Sequence, residues 1–247
     1  MLITPRHTSR SLFFLFCFTL LLTLFLSLPW VNAKEKPQPE AWQINGIVAA
    51  LDDEYDGVKQ LAFEKFNEYD LQNLQAVIQK PEVIAQKAAN ILKNKSVESD
   101  FRSSAALALG NLGEAAKPYV KDILDFLKDK SVDAYVRSSA ASALRNLGEA
   151  AKPYVKDIAD ILKADILLDE TFIVITSDSL YVRTSAAEAL GKMGETAKPY
   201  VKDIADILKD KTVNTSVRSR AAEALGKMGE TAKPYVKDIL DILKDKT

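Results

Sequence analysis

Apolar residues recur along the second half of the chain at the spacing of a helix rather than of a strand. Phe101, Ala105, Ala108, Leu109 and Leu112 fall on one helical stripe. Val120, Ile123, Leu124 and Leu127 make a second stripe at i, i+3, i+4 and i+7. The polar positions between them predict two amphipathic helices, and Gly113 predicts the stop of the first. The second is predicted to open around Pro118, because a first turn leaves unpaired the N–H that proline lacks.

This pair of stripes repeats. Phe101–Lys130 returns as Val136–Lys163, Val182–Lys211 and Val217–Lys246. Arg102, Arg137, Arg183 and Arg218 share one position, and Pro118, Pro153, Pro199 and Pro234 share another. Both sets are spaced by 35, 46 and 35 residues, so the period is 35 with one insertion of 11. Four residues before each Arg stand Glu98, Asp133, Ser179 and Asn214, all with side-chain acceptors suited to capping the first helix. Neither helix buries its stripe alone, so the units are expected to stack into one continuous all-α core.

The pattern V-R-x-x-A-A-x-A-L-x-x-(L/M)-G, followed by A-K-P-Y-V-x-x-I-x-x-(I/F)-L-K-D, resembles HEAT repeats. In particular it resembles the bacterial HEAT-like type found in phycobilisome-lyase proteins. The resemblance implies a right-handed α-solenoid of stacked antiparallel helix pairs that holds partner proteins along its concave groove. It covers four units within 96–247, interrupted at about 164–179. A divergent unit or cap is expected over 42–95. There Val58, Lys59, Ala62 and Phe66 match the first helix, and Lys80-Pro81 through Ile91-Leu92-Lys93 match the second.

The N-terminus is of another kind. Residues 1–33 carry Arg6 and Arg10, an apolar-biased run from Leu12 to Leu28, and small residues ending at Ala33. That order reads as a signal peptide cleaved after Ala33, with 34–41 as a linker and the mature chain periplasmic or secreted. An uncleaved leader acting as a membrane anchor is the alternative. Without its two arginines the chain has 31 basic and 34 acidic residues, a net charge of −3 that argues against a nucleic-acid partner. Cys17 and His7 are the only Cys and His, and both lie in the leader. The mature chain therefore lacks thiolate and imidazole chemistry and any disulfide.

No cofactor, metal or catalytic residue is expected. The Asp52–Gly57 run resembles the start of a calcium loop, but Phe63 stands where the bidentate Glu is required. HEAT-like proteins include bilin lyases and deoxyhypusine hydroxylases. The leader argues against the first, and the missing histidines argue against the second. The expected function is a non-catalytic scaffold for a protein partner, with no membrane contact once the leader is cleaved. A self-associating envelope component, joined through the C-terminal face, is the alternative.

Two surfaces are candidates for the partner. Helical phasing sets Asp122 and Asp125, Asp157 and Asp160, Asp203 and Asp206, and Asp238 and Asp241 opposite the buried stripes of successive second helices, with Asp129, Asp210 and Asp245 continuing the pattern. The resemblance implies that this acidic ladder lines the groove. The insertion places Phe172, Ile173, Val174 and Ile175 where other units have a short polar loop, and insertions in solenoids often mark the binding face.

Overall fold

The computed structural model describes residues 36–71, 78, 80–129, 131–163, 177–237 and 239–240, without the side chains of 177–179. The leader, Phe172–Ile175, Asp238, Asp241 and Asp245 lie outside the described residues. The chain divides into two compact units, Met1–Lys36 and Pro37–Thr247. Among the described residues no helix is long and apolar enough to cross a membrane.

The second unit is an all-α solenoid. After α1 (Ala41–Ala50) come α2 (Asp56–Glu68) and α3 (Pro81–Lys93), the two helices of the divergent repeat. The regular repeats follow as α4 (Ser99–Asn111) with α5 (Val120–Lys128), α6 (Ala134–Leu147) with α7 (Val155–Lys163), and α8 (Ser177–Met193) with α9 (Val201–Lys209). The last repeat begins with α10 (Thr215–Lys227). The segment expected to be a linker is tied down from Pro37 onward: the Asp70 N–H donates to the Pro37 carbonyl at 2.9 Å, and Gln38 donates to the Asp70 carboxylate at 2.6 Å.

The second helices start later than the proline position predicts. Pro118 lies inside a 3-10 helix, Gly113–Tyr119, and α5 begins only at Val120. Gly148–Tyr154, Gly194–Tyr200 and Gly229–Tyr235 repeat the device. The glycine heading each segment has φ of 54°, 41°, 52° or 57°, a left-handed turn that a Cβ would strain. An α-turn at Pro118 would drive its ring into the carbonyl four residues back, so the chain winds more tightly until the proline is passed.

Capping follows chemistry position by position. Asp133 accepts from the N–H groups of Tyr135 and Val136 at 2.8 and 3.4 Å, and Asn214 accepts from Ser216 at 2.8 Å. Glu98 stands at its N-cap without a side-chain cap. Ser179 is not a cap, because α8 already begins at Ser177. Asp129 and Asp210 lie past the ends of their helices rather than on the ladder. Each closes the turn between repeats, accepting from the N–H and hydroxyl of Ser131 (2.9 and 2.6 Å) or Thr212 (2.8 and 2.6 Å). The hydroxyl first, and then the N–H, holds both carboxyls below the usual carboxylate range.

One hydrophobic core runs from Ile44 to Ala232. The two predicted stripes are buried throughout α4 and α5. The repeated arginines join consecutive units. The Nε of Arg102, Arg183 and Arg218 donates at 3.0 Å to the carbonyl of Leu92, Leu162 and Leu208, respectively. Each acceptor is in the last turn of the preceding second helix, where carbonyls have no partner within their own helix. Arg218→Met keeps the aliphatic stem and removes the donor. It is expected to cost about 1–3 kcal/mol, the penalty for a buried carbonyl left unmet. Urea unfolding reads the loss as a lower midpoint; an unchanged midpoint would mean water serves Leu208 equally well.

Candidate interaction surfaces

The described aspartates of the ladder all face lysines. Lysine at the end of one second helix reaches aspartate at the start of the next: Lys93 to Asp122 at 2.6 Å, Lys128 to Asp157 at 2.7 Å, and Lys163 to Asp203 at 3.0 Å. Within each helix, i,i+4 pairs add Lys121–Asp125 at 2.8 Å, Lys156–Asp160 at 2.7 Å and Lys202–Asp206 at 2.6 Å. The hydrogen bond from Lys156 holds Asp160 below its ordinary range, and the same contacts push Lys121, Lys156 and Lys202 up. A shallow cleft of about 250 Å³ lies over this face between Lys163, Arg183, Asp203 and Asp206. The acidic field expected from the sequence is therefore diluted by cations of the same and the preceding repeat.

The repeated tyrosines Tyr119, Tyr154, Tyr200 and Tyr235 are half-buried against the core. Lys93 lies over the Tyr119 ring at 5.9 Å and Lys209 over Tyr235 at 5.3 Å, so they too tie repeat to repeat. At the far end, Val236 and Leu240 are 47% and 49% exposed, while their counterparts Val120 and Leu124 are buried. Most of the C-terminal face lies outside the described residues. Asp52 pairs with Lys87, and Asp53 accepts from the Tyr55 N–H at 2.8 Å; among the described residues no group of three or more His, Cys, Asp or Glu is placed to hold a metal.

The first-helix face carries a cluster that the sequence reading missed. Glu188 of α8 lies between two guanidinium groups, 3.5 Å from Arg145 Nε of α6 and 2.9 Å from Arg220 Nε of α10. Arg220 also donates to Glu223 at 2.7 Å. The Tyr181 hydroxyl is 2.7 Å from Ser142 Oγ and 3.4 Å from Arg145 Nη1. These side chains, with Leu180, Thr184 and Ser216, line an open cleft of about 250 Å³.

A signal for this cluster was present as departures from the repeat. Where Arg145 stands, the other three regular repeats have Gly110, Gly191 and Gly226; where Arg220 stands, they have Ser104, Ser139 and Ser185. One further position changes halfway along the array. In the first two regular repeats it is asparagine: Asn146 donates to Asn111 at 3.4 Å, and Asn111 donates to Asn67, which stands one position earlier in the divergent repeat, at 2.9 Å. In the second half it becomes Lys192 and Lys227. The Lys192 stem lies along Gly148, in contact with the site a Cβ would take there. Burial, then the charges of Arg145 and Lys227, push the Lys192 ammonium down, while Glu188 opposes them.

A family model described as HEAT repeats matches residues 168–246. The chain is also similar to the crystal structures of two engineered proteins. One shares 19% identity with a TM-score of 0.51, covering 82% of this chain and 87% of that one. The other shares 20% identity with a TM-score of 0.53, covering 82% and 89%. These findings show a helical-repeat fold, with HEAT repeats matched over 168–246. Human deoxyhypusine hydroxylase in complex with glycerol matches at 20% identity over 82% of this chain and 84% of its own, with a TM-score of only 0.33. No curated protein matches.

Proposed function

We propose that this HEAT-repeat chain is an exported, non-catalytic scaffold that holds a protein partner. The observation that carries the reading is the contrast between a regular stack and one irregular junction. Three repeat-to-repeat devices recur along the array: the arginine–carbonyl bond, the lysine–aspartate bridge and the half-buried tyrosine. A stack held in that way supplies a long rigid surface and leaves its remaining side chains free to specify a partner. Two of the departures fall between the second and third regular repeats: Arg145 replaces glycine near the end of α6, and the insertion with Phe172–Ile175 follows α7 in the chain. Export rests on residues 1–33, whose charged start, apolar run and Ala33 site fit a cleaved leader.

Capture with the full chain, tagged at its C-terminus and expressed in its own cell, tests the reading. The recovered bait should begin at Lys34 and carry one partner in a fixed ratio. Shortening 164–174 to restore the 35-residue period should release that partner while the helical circular dichroism stays unchanged. A bait recovered alone, or one still retaining its leader inside the cell, would count against the scaffold or against its export, respectively.

A further inference from the structure

We infer that the first-helix face from Arg145 across Lys192 to Arg220 and Lys227 is a docking site for an acidic, carboxylate-rich segment of a protein partner. The inference deepens the scaffold reading and rests on it.

The two faces of the array treat their cations differently. On the second-helix face Lys93, Lys121, Lys128, Lys156, Lys163 and Lys202 each meet an aspartate. On the first-helix face Lys192 and Lys227 meet no acceptor among the described residues. Four cations, Arg145, Lys192, Arg220 and Lys227, thus share two carboxylates, Glu188 and Glu223. Like charges held together at a stack of helices repel, and a carboxylate brought from outside relieves that repulsion at each of them.

The cleft suits such a group. Glu188 and Tyr181 fix the guanidinium groups in orientation, yet those contacts engage only part of the five N–H donors each one carries. Planar forks held in place recognise carboxylates through paired N–H···O bonds. The roughly 250 Å³ of open space beside them is lined by the polar side chains of Thr184 and Ser216. A nucleic acid fits less well. Tyr181 is the single aromatic residue lining the cleft and is partly buried against the core, and the net charge without the leader is −3, so there is neither a series of stacking platforms nor a long basic track.

The repeat supplies its own test variants. Arg145→Gly, Lys192→Asn and Lys227→Asn each install the residue that other repeats carry at that position. Fluorescence anisotropy should show the full chain binding a labelled glutamate-rich peptide at low salt, and not its glutamine analogue. The triple variant should bind about tenfold more weakly or worse, the scale expected when a charge-complementary contact is lost. Lys121→Gln with Lys156→Gln on the opposite face should leave binding intact. Should the triple variant melt early, Lys192→Gln with Lys227→Gln removes the two ammonium groups alone and must still weaken the peptide.

Equal binding by wild type and variant, no binding by the wild type, or tighter binding of a single-stranded oligonucleotide of equal charge would each overturn the inference. A partner still captured by the triple variant in the cell would leave the scaffold standing and remove this site from it.

Discussion

Gly110→Ala lowers the melting temperature, while Gly226→Ala, at the same position of the last repeat, raises it. A Cβ built on Gly110 would lie 2.5 Å from the Cα of Ala143, and 3.1 and 3.2 Å from its Cβ and carbonyl oxygen. The obstacle is backbone on the neighbouring helix, so α4 and α6 must part to admit even a methyl group. Gly191 is a milder case, at 2.9 Å from the Cα of Ala224. Nothing lies within 4 Å of the corresponding point on Gly226. Overpacking of this kind costs about 1–3 kcal/mol, and more where backbone must move. Alanine returns up to about 1 kcal/mol of helix propensity at either site. The balance is negative at Gly110, near zero or negative at Gly191, and positive by about 0.5–1 kcal/mol at Gly226. Thermal melts of the three alanine variants give the order directly. A Gly110→Ala protein as stable as the wild type would mean that the first helices of adjacent repeats do not approach so closely.

Phe101→Ala is expected to uncouple the divergent repeat from the regular ones. Phe101 is 2% exposed and its ring centroid is 6.2 Å from that of the fully buried Phe63, in a tilted contact between α4 and α2. The three later repeats have Val136, Val182 and Val217 at this position, so the large ring belongs to this junction alone. Removing it leaves a cavity that helices pinned on both sides cannot close, at a cost of about 3–5 kcal/mol. In a solenoid that loss falls on a single interface between neighbours, and unfolding then ceases to be one cooperative event. Hydrogen exchange should show α1 to α3 losing protection at lower urea than α6 to α10. Phe63→Ala should act the same way, and the double variant should cost less than the sum of the singles, since both remove one contact. One sharp transition with a small shift would show that the junction is held by other contacts.

Much of the array was legible because its information is local. Val120, Ile123, Leu124 and Leu127 lie on one side of any helix they form, whatever packs against it, and all four are buried. Gly113 and its three counterparts mark turns that need a left-handed residue, and each has positive φ. Where local chemistry is more finely balanced, the reading slipped. Pro118 was compatible with a first α-turn, but the tight segment after Gly113 made it part of a 3-10 helix. Asp129 and Asp210 fit a helical face by spacing, yet a serine or threonine two residues on drew each carboxylate into a turn.

The charged surface was less legible. Phasing alone set Asp157 and Asp203 on an open acidic face, and the stack brings Lys128 and Lys163 to them across 29 and 40 residues of chain. The second of these bridges spans the insertion, so the register between successive second helices is kept across it. Arg145, Glu188 and Arg220 come from three different repeats, and helical phasing within one repeat says nothing about how side chains meet across the stack.

The sequence by itself determined the helices, the 35-residue repeat, the buried stripes and the residues that depart from the pattern, because hydrophobic spacing and turn chemistry act over a few residues at a time. Only the tertiary structure decided which charges neutralise one another, which glycines hold two backbones in contact, and where four cations gather around two carboxylates. Those outcomes depend on the register of one repeat against the next, and Coulomb attraction and van der Waals contact change over an ångström or two of that register.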